Sequence, residues 1–450
     1  MSESDQVDAH SGEPLDDTAS NQRTTEHQPN GFAPHPDRFD ILGEVHARPF
    51  QPLPSKRILI DLNFSVDAIG LARHRDWFAQ FCRAHGASAP DAAARQYVLR
   101  VGSGWLRWEL HTEFVSFLWH APLKDERSFA RSLGDWPFGT EFVAPGPLVA
   151  ATRLEILPYS GSIEGWVDAF DEASLCVSKM VGGRAIAATD FRQDGNGLTR
   201  ILLLDKGMSE GEIGATAQRL TEIETYRTFS LLTLPVARRL QPELTQIEQH
   251  LSDLSERMRG PGDFETNKAL LGRITDMGAQ LEAEGTTSGY RFAAAHAYSD
   301  IVSTRLKSLD EETIPGFSTW ETFLNRRLRP AMSTCAATES RMKRLSEKLE
   351  SASNLLRTRV YLDLEDQNRA LLGSMDRRAK LQLRLQQTVE GLSVAAISYY
   401  VIGILNYAAK ALSSVIPISA DVVTGIVALP VIFGIWWIVQ RLRKKHMDED

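Results

Sequence analysis

Three stretches of the chain carry residue types that could do chemistry. The first is Gly43-Glu44-Val45-His46-Ala47-Arg48-Pro49-Phe50-Gln51-Pro52-Leu53-Pro54. Its three prolines impose extended or polyproline backbone, on which Glu44, His46 and Arg48 point the same way. Such a fixed strip of ionisable groups could line a pocket, or hold a carboxylate or phosphate through Arg48. The competing reading is a stiff entry segment whose Glu and Arg anchor it to the domain surface. The second stretch holds Glu109, His111 and Glu113, which alternate and in a strand would share one face. A histidine with two carboxylates can ligate a metal or act as an acid–base set. The Pro-Cys-x-x-Cys that a zinc deaminase needs is absent, and a polar face paired with Arg or Lys fits the same spacing. The third is Gly207-Met208-Ser209-Glu210-Gly211, which matches a nucleophile elbow. Ser209 and Glu212 also spell a capping box, and this explains the pattern better. A triad would need a downstream histidine close in space, but His250, His296 and His446 fall in helical or tail segments. Gly102-Ser103-Gly104 and Gly182-Gly183-Arg184 read as turns, and there is no Walker-type Gly-Lys-Ser/Thr. These motifs assign no catalytic residue, no metal site and no cofactor.

The elements that must position these residues fall into distinct regions. Residues 1–38 are acidic and polar with almost no large apolar side chains, so they are expected to be a disordered tail. Residues 39–207 alternate short β-prone runs with helical stretches and hold a strong hairpin turn at Asp194-Gly195-Asn196-Gly197, which predicts an α/β domain. From Met208 the pattern is helical, with breaks expected at Pro235, Pro242, Gly260-Pro261-Gly262, Gly285–Gly289, Pro315-Gly316 and Pro330. Residues 208–391 are therefore read as a helical stalk domain. A single helix from Ala331 to about Ala411 would be about 120 Å long. Its apolar positions Leu345, Leu349, Leu356, Val360, Leu364, Leu371 and Met375 form a stripe that must pack on other helices or on copies of the chain.

Residues 392–440 read as a transmembrane hairpin, with spans at 392–412 and 422–439, each near the ~20 apolar residues needed to cross a bilayer. Arg377, Arg378, Lys380 and Arg384 precede the first span. Arg441, Arg443, Lys444 and Lys445 follow the second, in the tail 441–450, and the connecting turn has no Lys or Arg. The positive-inside rule puts both termini in the cytoplasm, with the soluble regions on the cytoplasmic side of the membrane. The N-terminus lacks an apolar h-region, so no secretory signal is expected. A net charge of −8 argues against a nucleic-acid partner. Cys82, Cys176 and Cys335 are far apart and without CxxC spacing, as expected for reduced packing residues. The partners expected are the lipid bilayer and further copies of the chain.

Several blocks together resemble a known family. Glu-Val-His-Ala-Arg-Pro-Phe at 44–50, Trp108-Glu109-Leu110-His111-Thr112-Glu113-Phe114, Thr189-Asp190-Phe191-Arg192, and the run Arg378 to Tyr400 are similar to domain of unknown function 3422. That is a bacterial family of membrane-anchored proteins, and the resemblance spans nearly everything after the tail. It implies location in the bacterial cytoplasmic (inner) membrane as a multi-pass protein and brings no reaction with it. In architecture the chain is also similar to the CorA magnesium transporters: an N-terminal α/β domain, a helical region, one long helix entering the first span, and a basic C-terminus. Those carry Gly-Met-Asn at the outer end of the first span, where this chain has Ile404-Leu405-Asn406-Tyr407. If the helices assemble, Ser398, Gly403 and Asn406 are candidates for a pore or packing face. The fold class expected is α+β with a stalk helix and a two-helix membrane hairpin, CorA-like in arrangement. The function expected is a membrane-anchored scaffold or sensor. Alternatives are a divergent CorA-type divalent cation channel and a membrane-bound enzyme using the His46/Arg48 and His111/Glu113 segments.

Overall fold

The computed structural model describes residues 35, 38, 50–92, 94–123, 129, 137–139, 142–260, 262–412 and 420–447. Contacts group the chain into two compact units, residues 1–243 with 284–342, and residues 244–283 with 343–450. The strip Glu44, His46 and Arg48 lies outside the described residues, as does the tail expected over 1–38 apart from residues 35 and 38.

The first unit is built on one nine-stranded sheet, mixed α+β as expected. The strands are β1 (Arg57–Ser65), β2 (Gln96–Val101), β3 (Gly104–Leu110), β4 (Phe114–Pro122), β5 (Leu148–Pro158), β6 (Cys176–Met180), β7 (Ala185–Gln193), β8 (Thr199–Asp205) and the two-residue β9 (Glu312–Thr313). Their order is β2-β3-β4-β1-β5-β8-β7-β6-β9, and every pairing is antiparallel except that of β5 with β8. Period-2 alternation decides the faces. In β1, Ile60, Leu62 and Phe64 pack with Phe78 and Cys82 of helix α1 (Ala68–Ala84), joined by Trp108, Phe117 and Trp119. Leu59 of the same strand points the other way and joins Leu154, Ile156, Ile201 and Leu203 under the helical layer.

That layer consists of α2 (Glu210–Leu231), the first part of α3 (Thr233–Arg257), the second part of α4 (Phe264–Ser308) and the start of α5 (Trp320–Leu412). It contributes Ile213, Leu220, Ile223, Leu240, Phe292, Val302, Trp320 and Leu324 to the same core. Each such side chain, fully buried, stabilises the fold by roughly 1.5–3 kcal/mol. At α2, Gly214 has a steric role. A Cβ there would collide with the Gln51 carbonyl oxygen, so only glycine lets the extended entry segment lie against the helix. Leu53 is buried there, and its N–H donates to the Glu210 carbonyl at 3.0 Å. This described end of the proline-rich stretch is anchored to the domain surface.

Several expected helix breaks do not occur. Pro242 lies inside α3, Gly285 and Gly289 inside α4, and Pro330 inside α5, which begins at Trp320 and not near Ala331. A glycine costs a helix only about 1 kcal/mol and a proline about 3. Neighbouring burial offsets both: Leu240 and Leu244 flank Pro242, and Leu328 and Met332 flank Pro330. Other breaks are real. Pro235 sits in the first turn of α3, just after α2 has ended, and α3 stops at Arg257 before Gly260. The break at Pro315-Gly316 is also real, with Gly316 at φ +90°. Strands give way to helices between β8 and α2, except that β9 follows.

The second unit takes the rest of α3, α4 and α5 together with α6 (Ala420–Met447). Its buried apolar positions recur three, four or seven apart, the spacing of one helix face. They are Leu244, Ile247, Leu251 and Leu254 on α3, Leu270, Ile274 and Leu281 on α4, and Leu345, Leu349 and Leu356 on α5. Beyond Leu356 the α5 stripe comes to the surface: Leu364 is 44% exposed, Leu371 58% and Leu385 66%. Two helical segments, within Trp320–Ala411 and Thr424–Arg441, are long and apolar enough to cross a membrane.

Candidate functional site

A polar cavity of about 140 Å³ lies in the first unit, between the sheet and the helical layer. Its floor follows from strand register. Asp61 of β1 sits opposite Leu118 of β4, Asn63 opposite Ser116, and across β4 these positions face Arg107 and Glu109 of β3. Alternation therefore puts Asp61, Asn63, Arg107, Glu109 and Ser116 on one face, and α2 covers it with Gln218, Thr221, Glu222 and Thr225. These α2 positions are three and four apart, which keeps them on one side of the helix.

The wall groups form a directed network. Ser116 Oγ donates to Asn63 Oδ1 at 2.6 Å, and Asn63 Nδ2 donates to Asp61 Oδ2 at 3.0 Å and to Thr225 Oγ1 at 3.1 Å. Thr225 Oγ1 donates in turn to Asp61 Oδ2 at 3.3 Å, and Thr221 Oγ1 to the Gln218 backbone carbonyl at 3.0 Å. Gln218 Nε2 donates to Glu222 Oε1 at 2.8 Å, and Arg305 of α4 pairs with the same carboxylate. Glu109 lies 3.4 Å from Arg107 Nε and 3.9 Å from His111 Nε2. Burial pushes the Asp61 carboxyl up to about 6; its hydrogen bond from Asn63 opposes this and the nearby Glu109 charge adds to it.

Of the residues singled out in sequence, Glu109 and His111 come together at this cavity. Glu113 does not line it. β3 ends at Leu110, so residues 111–113 form the turn into β4 and the alternation stops there. Glu113 pairs instead with Arg291 of α4, and burial together with Glu113 pushes the Tyr298 phenol upward. Ser209 caps α2: its side chain accepts from the Glu212 amide, while the Glu212 carboxylate accepts from the Ser209 amide at 3.0 Å. Arg184 also holds Glu212 and, with Ser209, draws its carboxyl down to about 2. In the second unit Ser398 is buried, and Asn406 Oδ1 accepts from Thr424 Oγ1 of α6 at 3.3 Å. A Cβ at Gly403 would meet nothing within 4 Å.

The residues of this network missed by sequence reading are Asp61, Asn63, Arg107, Ser116, Gln218, Thr221, Glu222, Thr225 and Arg305. Asp61 and Asn63 left a readable signal, since they interrupt the apolar run Ile58-Leu59-Ile60-Asp61-Leu62-Asn63-Phe64 at period 2. Arg305 left none, because its approach depends on how α4 packs. Among the described residues no group of three or more His, Cys, Asp or Glu side chains is placed to hold a metal ion.

A family model described as "Protein of unknown function (DUF3422)" matches residues 33–446, and the chain belongs to that family. No curated protein matches the chain, and no solved structure does.

Proposed function

We propose that this member of the family is a membrane-anchored sensor module that works as a homo-oligomer and has no enzymatic role. In this reading the segments 392–412 and 422–439 cross the cytoplasmic membrane as a hairpin, with both termini in the cytoplasm. The observation that carries it is α5 itself. One continuous helix takes an apolar stripe from buried, at Leu356, to exposed, at Leu364, Leu371 and Leu385, and then becomes apolar enough to span a bilayer. An exposed stripe next to an anchor favours association with further copies, because anchoring holds them in one plane at high local concentration. The cations at Arg377–Arg384 and Arg441–Lys445 support cytoplasmic ends.

The cavity supports binding over catalysis. Glu109 stands against Arg107, Glu222 against Arg305, and Asp61 accepts hydrogen bonds from Asn63 and Thr225, so the carboxylates that line the cavity are each held by a donor. A CorA-like arrangement fits the order of sheet unit, long helices, hairpin and basic tail. Conduction of divalent cations is less favoured, because Asn406 commits its side-chain oxygen to Thr424 inside the hairpin. The test is the mass of the particle in mild detergent. A multiple of the chain mass is expected; a folded, strictly monomeric particle contradicts the proposal. Divalent-cation flux in liposomes that Asn406→Leu abolishes would favour the channel instead.

A further inference from the structure

We propose that the cavity between β1, β3 and α2 binds a small primary ammonium compound; this rests on the sensor reading above and names its ligand class. The argument is the sign of the unmet hydrogen-bonding groups. Glu109, only 9% exposed, has an oxygen, Oε1, that makes no hydrogen bond, its approach to Arg107 being an ion pair without hydrogen-bond geometry. Gln218 Oε1 is also buried and unbonded. Its orientation is fixed by chemistry: the Glu222 carboxylate only accepts, so the amide nitrogen must face it and the carbonyl oxygen must face away. The protons of Ser116, Thr221 and Thr225 and of the Asn63 amide are all directed to acceptors within the network. Arg107 Nε is a buried donor that also makes no hydrogen bond, but it is already held against Glu109 Oε1 as its ion pair at 3.4 Å; what the remaining groups have left to offer is lone pairs. A ligand that only donates is complementary to them, and a primary ammonium is such a group.

Charge points the same way. Asp61, Glu109 and Glu222 line the cavity against Arg107 and Arg305, three acids against two bases. With Asp61 ionised the lining lacks one positive charge, which a monocation supplies. The size of the cavity suits a head group with a few carbons. A bound ammonium would oppose the burial that holds Asp61 protonated, so binding should release a proton near pH 6. The charged and titratable groups facing Asp61 are Glu109, Arg107 and His111 from the sheet side and Glu222, Tyr226 and Arg305 from the helical layer.

The experiment is calorimetric titration of the full chain in mild detergent with ethylammonium and ethanolamine, with ethylene glycol and potassium chloride as controls. Both ammonium probes are expected to bind, and more tightly by about tenfold at pH 7 than at pH 5 as Asp61 ionises. Glu109→Gln and Gln218→Met should each weaken binding by about tenfold, and Asp61→Asn should abolish proton release at pH 6. The pH series uses the unaltered protein, so a variant that fails to fold does not remove the test. No binding of either ammonium to folded protein overturns the proposal, as does equal binding of glycol or potassium. The particle mass is read on the same sample: an oligomer that takes no ammonium overturns the ligand assignment alone.

Discussion

Ser209 and His74 show what single residues contribute outside the cavity. Ser209 closes both halves of a capping box at the start of α2, the helix that supplies one wall of the cavity. Ser209→Ala should destabilise the protein by about 1 kcal/mol, read as a lower denaturation midpoint. This role is legible in the sequence because a capping box is local: Ser209 and Glu212 lie one turn apart. His74 lies buried among Trp77, Phe78, Trp108 and Phe117, and burial lowers its imidazole to about 4. The folded state therefore refuses a proton that the unfolded chain accepts. Its contribution to stability is intact above about 6.5, the unfolded value, and is lost as pH falls towards 4. Burial lowers His120 in the same way. Asp61, raised to about 6, acts in the opposite sense: its contribution is present below about 4 and is lost as pH rises through 6. His74→Phe should flatten the loss of thermal stability between pH 7 and 5, and an unchanged slope would contradict this account.

At the scale of elements, helices and strands are legible wherever pattern is local, and breaks only in part. The hairpin turn at Asp194–Gly197 lies between β7 and β8, with Asp194 Oδ1 accepting from the Asn196 and Leu198 amides. Pro242, Gly285, Gly289 and Pro330 do not end their helices, because tertiary burial on their flanks outweighs a local cost. The α5 stripe is legible from its spacing, and its exposure beyond Leu356 gives it a consequence. Replacing Leu371 and Leu385 together by Ser should lower the copy number in detergent while leaving helical circular dichroism unchanged. An unaltered particle mass would remove the stripe from the proposed interface.

For the whole molecule, composition and periodicity anticipate the sheet unit and the apolar C-terminal helices, but not the cavity. Asp61 and Glu109 are far apart in sequence and meet only through the β1-β4-β3 register, and Arg305 reaches them from a helix much later in the chain. Reading alternation inside each strand finds which residues share a face, yet strand order is needed to know which faces adjoin. The proposed function rests on that unit being held at a membrane by residues 392–439. The most direct measurement is alkaline carbonate extraction of membranes from cells making the full chain or a chain ending at Gly391. The full chain should stay in the membrane pellet and the shortened chain should move to the supernatant. Release of the full chain by carbonate would contradict it.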